Sequence, residues 1–315
     1  MKSIKILAVA FLVAALSTAA FAQKKKADTK KESAGIPATV IVFAGEKNGG
    51  VDEGLNAGLE NFLGQKLIIT TVDREAALKD PKYAGLNLDY MPLYLLEKNK
   101  VTEEKFAQPI SQGFIKTNND FVIMEKQTRY GVYVGQPRQP NVLDIFVMSQ
   151  CPYGVMAENR IIDAQKLGRL PQDLQVNVHY IVSEGGTPDT FGSLHGTGEW
   201  EENVRQLIVK DKFPKKFWKY IEKRNQNYQS SLWDQAAEEA GINPRVFRRY
   251  WKQGVELLKK DMEYGKKFNV SASPTILWEG RVVTDMNGLS QLPGLEGLGQ
   301  SYGGAPAAAA PQGRC

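Results

Sequence analysis

The stretch VLDIFVMSQCPYG, residues 142–154, is a mostly apolar run that ends in a cysteine followed at once by a proline. Its β-branched and aromatic residues read as a buried strand. Pro152 suits the first turn of a helix, where its missing N–H is not needed. Val155, Met156, Ile161, Ile162 and Leu167 then recur at helical spacing up to Gly168. Cys151 therefore stands between the carboxyl end of a strand and the amino end of a helix. Sites in α/β proteins gather at such places, and the helix field there favours a thiolate. A lone cysteine is otherwise a small buried hydrophobe, but strand, Cys-Pro and helix coincide here, and the reactive reading is preferred. A two-cysteine redox centre would carry its second sulfur at Gly154, yet the only other cysteine is the last residue, Cys315.

Working outward, the polar, Pro-punctuated segment QPRQPN (136–141) is the best internal boundary. Before it, ATVIVFAG (38–45) reads as a buried strand. Val51, Leu55, Leu59 and Phe62 predict a helix closed by Gly64, and KLIITTVD (66–73) a second strand. YMPLYLLEKN (90–99) places Pro92 before an apolar strand and a turn, and GFIKTNNDFVIME (113–125) a hairpin around Asn118 and Asn119. After the boundary, LQVNVHYIV (174–182) is a second strand. A helical stretch follows from about Glu199 to Phe268, with starts at Pro214, Ser230 and Asn243-Pro244 and ends at Gly241 and Gly265. VSASPTILWEGRVV (270–283) then puts Pro274 before a strand, a Glu279-Gly280 turn and another strand. The fold class expected is α/β, with one architecture repeated in tandem over residues 36–137 and 138–295. The second copy carries a helical insertion at about 185–268. Residues 296–315, rich in Gly, Ala and Pro, are expected as an extension without a core.

Lys2 and Lys5 precede an apolar run from Ile6 to Leu16, and Ala20-Phe21-Ala22 follows. This is the pattern of a secretory signal peptide over 1–22, cleaved after Ala22. Its apolar run is shorter than the roughly 20 residues needed to span a bilayer. No later segment is apolar enough to do so, and a periplasmic or secreted chain is expected. The net charge of +5 arises within the first 35 residues, largely in the basic leader QKKKADTKKESAG (23–35), which reads as solvated spacer. The remainder is balanced, which argues against nucleic-acid binding. Two Cys and two His, His179 and His195, without ligand spacing make neither a disulfide scaffold nor a zinc site.

Cys-Pro-Tyr-Gly after DIFVMSQ, a helical insertion, and VSASPT before the last hairpin together resemble the DsbA-like branch of the thioredoxin superfamily. Ser193-Leu194-His195-Gly196 and the following EWEENVRQLIVKDKFPKKFWKYI are similar to the insertion of secreted DsbA-like and GILT-like thiol reductases. The resemblance covers about residues 141–295. It implies a thioredoxin-like fold with a helical insertion, acting in thiol–disulfide exchange on cysteine-containing proteins or peptides. Cys151 would be the nucleophile, in a motif with Pro152, Tyr153 and Gly154, and Pro274 a cis-proline facing it. Backbone at Ser273, flanked by Thr275, would pair with the substrate chain. No dissociable cofactor or metal is implied, because sulfur carries the electrons. A redox partner, soluble or membrane-bound, is. By the same analogy Pro92 would be the cis-proline of a first, cysteine-free thioredoxin-like domain, with FAGEKNGG (43–50) in place of a redox motif. That loop also lacks the G-K-[ST] ending of a phosphate loop.

Gly154 departs from the Cys-x-x-Cys of the family, so a mixed disulfide on Cys151 has no neighbouring thiol to resolve it. An external thiol, a second protein or Cys315 could do so. The segment 296–315 has a contour near ~66 Å and a flexible reach of about 25 Å. A thiol tethered this way reaches an effective concentration near ~1 mM. Cys315 as resolving or masking thiol stands beside Cys315 pairing between molecules or idle. His195 is a lesser candidate for polarising a thiol. Phe213, Phe217, Trp218, Tyr220, Tyr250 and Trp251 read as core of the helical insertion. The rival class is a redox-inactive binding or chaperone module using the groove near Pro274.

Overall fold

The computed structural model describes residues 35–125, 130–292 and 294–299. The expected signal peptide, the leader up to residue 34, the segment from 300 onward and Cys315 lie outside the described residues. The chain divides into two compact units. One takes the chain up to Arg138 together with Gly280–Thr284; the other takes Gln139–Glu279 and the chain from Asp285.

In the first unit β1 (Ile36–Val42), α1 (Glu53–Leu63) and β2 (Leu67–Asp73) form a parallel crossover. Gly64 ends α1 in the left-handed conformation that its missing Cβ permits. A short helix α2 (Arg74–Ala77) and the two-residue strand β3 (Tyr90–Met91) follow. The Met91–Pro92 peptide is cis and leads into β4 (Leu93–Glu97), antiparallel to β1. Helix α3 (Lys100–Ser111) intervenes before β5 (Lys116–Thr117) and β6 (Phe121–Met124). The resulting sheet runs β2–β1–β4–β6–β5. Both of its faces are buried: Val40, Tyr94, Leu96 and Val122 pack to one side, Ile41, Leu93, Leu95 and Ile123 to the other. Alternation along a pleated strand produces this division.

Helix α3 corrects the expectation of a turn after β4. Pro109 in VTEEKFAQPIS obscures it in the sequence, but Pro109 falls in its last turn, where one lost hydrogen bond is tolerable. Its start is a capping box: the Asn99 side chain accepts from the N–H groups of Val101 and Thr102, and the Thr102 hydroxyl accepts from Asn99 N–H. β7 (Gly131–Tyr133) closes the segment and pairs antiparallel with β3.

In the second unit β8 (Val142–Val147), α4 (Pro152–Lys166) and β9 (Gln175–Tyr180) form another parallel crossover. A small hairpin, β10 (Ser183–Glu184) and β11 (Phe191–Gly192), precedes the helical stretch expected from about Glu199. Four helices follow: α5 (Thr197–Lys212), α6 (Phe217–Asn225), α7 (Trp233–Glu239) and α8 (Arg245–Lys267). Gly265 lies inside α8 rather than at its end; the helix runs on to Lys267. Gly254 lets α5 and α8 cross closely, since a Cβ there would lie 2.7 Å from Ile208 Cγ1. β12 (Thr275–Trp278) returns antiparallel to β8. β13 (Val282–Thr284), expected within the second domain, groups with the first unit and pairs with β7. A short helix α9 (Met286–Leu289) follows.

The core of the second unit joins Ile145, Val147 and Val178 of the sheet to Ile161 and Ile162 of α4 and Val204 and Ile208 of α5. Phe217 and Tyr220 are buried in it, with Phe213, Trp218, Tyr250 and Trp251 packed around. Met156 and Leu167, expected on the buried face of α4, are exposed. Among the described residues no helix is long and apolar enough to cross a membrane.

Candidate active site

Cys151 is the N-cap of α4, and Pro152 is the first helical residue. A turn delivers it there: Cys151 N–H donates to Met148 O at 3.0 Å, and Cys151 O accepts from Val155 N–H at 3.0 Å. The Cys151 side chain itself makes no capping hydrogen bond to this helix. Cys151 is buried and disulfide-bonded, and among the described residues no cysteine is free. Its Sγ lies 3.6 Å from the carbonyl oxygen of Ser273. The Ser273–Pro274 peptide is cis and opens β12, whose first residue, Thr275, pairs with Phe146 of β8. Across 122 positions of sequence the cysteine and the cis-proline loop are thus in contact.

The loop is held by its own hydrogen bonds. Ser273 Oγ accepts the Met148 N–H at 3.0 Å, and the Thr275 hydroxyl donates to Ala272 O at 2.7 Å. Pro152 is exposed, Tyr153 half-buried and Gly154 buried. Of the expected site residues, Cys151, Gly154, Ser273, Pro274 and Thr275 are brought together through these contacts.

His195 connects to the same loop through a residue that sequence reasoning missed. Its Nδ1 lies 2.5 Å from Glu199 Oε2, and Glu199 is completely buried in the first turn of α5. The same carboxylate oxygen accepts the Gln150 N–H at 3.2 Å. Ser149 donates its N–H to Asn203 Oδ1 and its hydroxyl to Glu199 O. Glu199 and Asn203 therefore fasten the two residues before Cys151 to the insertion. In sequence, Glu199 reads as an ordinary acid at a helix start; only the fold shows that it points inward.

Two further buried clusters were not legible. Glu158, on α4, has its carboxyl pushed up to about 8, first by burial and then by the nearby Glu202, against the Asn225 hydrogen bond. Asn225 Nδ2 donates to Glu158 Oε2 at 3.1 Å, while Oε1 makes no hydrogen bond with the described residues. On the sheet, His179 lies between two carboxylates, with Nδ1 2.9 Å from Asp261 Oδ1 and Nε2 3.2 Å from Asp144 Oδ1. Burial opposes the charged imidazole, but the two carboxylates outweigh it and raise its pKa. Burial likewise opposes the Asp144 carboxylate, yet hydrogen bonds from His179, Asn177 and Tyr264 hold its pKa low. A cavity of about 330 Å³ opens beside this cluster, lined among others by Phe146, Asp261, Met262 and Ser271.

No family model and no curated protein sequence matches this chain. Solved structures similar to it include a periplasmic thioredoxin-like protein, a ScsC protein, a DsbA disulfide interchange protein and a thiol-disulfide exchange protein. A periplasmic thioredoxin-like protein from Salmonella enterica serovar Typhimurium is 17% identical, with 51% of this chain and 87% of the other covered and a TM-score of 0.37. The DsbA disulfide interchange protein of Klebsiella pneumoniae is 16% identical over 54% and 88%, with a TM-score of 0.36. The thiol-disulfide exchange protein alpha-DsbA2 of Wolbachia pipientis is 13% identical over 61% and 93%, with a TM-score of 0.37.

Proposed function

We propose that this chain exchanges thiols and disulfides with cysteine-containing proteins through Cys151, in the exported compartment implied by its N-terminal sequence pattern. The observation that carries this reading is the contact of Cys151, at a helix start, with the backbone of the cis Ser273–Pro274 loop. A helix N-terminus stabilises a thiolate. An extended substrate segment laid against Ser273 and Thr275 would present its own sulfur to Cys151. The cavity reaching Ser271 has room for a client side chain.

The second thiol is proposed to be Cys315, and the disulfide-bonded state of Cys151 supports a partner sulfur. In one direction the Cys151 thiolate attacks a substrate disulfide, forming a mixed disulfide and releasing one substrate thiolate. Cys315 then attacks Cys151 Sγ, releasing the second substrate thiolate and leaving the pair Cys151–Cys315 oxidised. The reverse sequence begins with a substrate thiolate attacking the oxidised pair and oxidises the substrate by two electrons. The first unit is read as a cysteine-free copy of the scaffold, supported by its βαβ crossover and its cis Met91–Pro92 peptide.

Activity of the mature protein on a disulfide-bonded polypeptide, compared with Cys151→Ser and Cys315→Ser variants, tests the reading. Turnover that survives Cys151→Ser overturns it, and a wild-type protein without turnover leaves a redox-inactive binding module as the better account. Non-reducing mass mapping that finds no Cys151–Cys315 link, even after mild oxidation, removes Cys315 from the scheme.

A further inference from the structure

We infer that Gly154 and Ser273 together exclude a second thiol from the local site, so that one-cysteine chemistry is built into the packing; this rests on exchange through Cys151. Gly154 occupies the third helical position of α4, where a two-cysteine motif would carry its second sulfur. A Cβ on Gly154 would lie 2.6 Å from Ser273 Oγ, 3.2 Å from Met148 O and 3.3 Å from Val147 Cβ. The first distance is shorter than any ordinary contact, and the other two leave little room for the backbone to yield.

Ser273 cannot turn aside without loss. It is completely buried, and its hydroxyl accepts the Met148 N–H at 3.0 Å. Rotating the hydroxyl away would strip that buried N–H of its partner, which is the costly outcome for a buried donor. The Ser273 side chain thus fills the volume a cysteine at 154 needs, while its carbonyl stays against Cys151. Gly154 has an ordinary helical φ, so nothing in its backbone requires glycine. Space does. Ser273 is a specificity determinant of the site: it forces the resolving thiol to come from a distance or from another molecule.

The test places cysteine at 154 in a Cys315→Ser background, with Ser273 kept or changed to Ala. Oxidised glutathione serves as acceptor of the two electrons and two protons released when the thiols at 151 and 154 join. Peptide mapping then measures the fraction of 151–154 disulfide. Removal of the Ser273 hydroxyl is expected to raise that fraction by roughly tenfold, the factor an overpacking strain of this kind carries. Equal yields with and without Ser273 overturn the inference. Should the cysteine variants fail to fold, Gly154→Ala replaces them in urea unfolding. Alanine normally favours a helix over glycine, so a loss of stability with Ser273 that is relieved by Ser273→Ala supports the clash. The same loss in both backgrounds refutes it. The Gly154→Ala unfolding comparison uses no exchange chemistry, so an inactive Cys151 would refute the proposed function while the packing inference is still decided by that comparison.

Discussion

Asp52 and Cys151 hold the same place in the two units, at the start of the helix that follows the first strand of a parallel crossover. The Asp52 side chain accepts the Leu55 N–H at 3.0 Å and caps its helix, whereas the Cys151 side chain makes no capping hydrogen bond to α4. Seven residues further on, the first unit has Leu59 and the second Glu158, both buried. Before the cis-proline stand Met91 in one and Ser273 in the other, both completely buried. One unit places a cap and two apolar side chains at these positions. The other places a sulfur, a buried acid and a hydroxyl. An aspartate cap is worth about 1 kcal/mol and a buried leucine roughly 1.5–3 kcal/mol, while a buried carboxyl opposes folding once it must ionise. The second unit forgoes stability where the first secures it, as the proposed reactive role of Cys151 at its helix start would require.

The strongest way to break this comparison is Cys151→Ser, which should reduce exchange to the uncatalysed rate in a disulfide-reduction assay. Substitutions at Asp52 should leave exchange unaltered. Next in size, Cys315→Ser should slow release of the mixed disulfide. With external thiol held near ~0.1 mM, the loss of a tethered thiol at ~1 mM predicts about a tenfold effect. Added glutathione at the higher level should restore the rate.

Glu158 sharpens the comparison through pH. Its folded pKa of about 8 lies above the ordinary 4.5, so the folded state holds a proton that the unfolded state releases. Its contribution to stability is fully present below about 4.5 and is lost as pH rises toward 8. The difference between wild type and Glu158→Gln in urea unfolding should therefore grow with pH across that window, by at most about 1.4 kcal/mol per pH unit. A pH-independent difference would show that Glu158 is ionised in the folded chain. The smallest expected effect is in the first unit: Asp52→Ala should cost about 1 kcal/mol of stability, measured by the same unfolding, with exchange intact.

Local pattern carried much of this molecule. The strands at 38–42 and 142–147, the helix beginning at Pro152, and the strand after Pro274 follow from hydrophobic period and from the backbone limits of proline. Glu279 and Gly280, both with positive φ, make the turn that their position in the sequence suggested. Cys151 could be singled out because strand, Cys-Pro and helix are contiguous. Helix α3 was hidden by Pro109, since a proline near a helix end looks like a break before the capping box is seen. The exposure of Met156 and the grouping of Gly280–Thr284 depend on which surfaces meet, and period alone does not say.

The residues that support Cys151 belong to a different kind of information. Ser273 lies 122 positions from the cysteine, Glu199 lies 49 from Gln150, and Asn225 lies 67 from Glu158. Each is a common polar side chain whose role comes from the partner it meets. Sequence alone determined where a nucleophile could stand, because that depends on neighbouring residues and the conformations open to them. Only the tertiary structure decided that Gly154 has no room for a second sulfur, because the Ser273 hydroxyl occupying that space arrives from a remote strand.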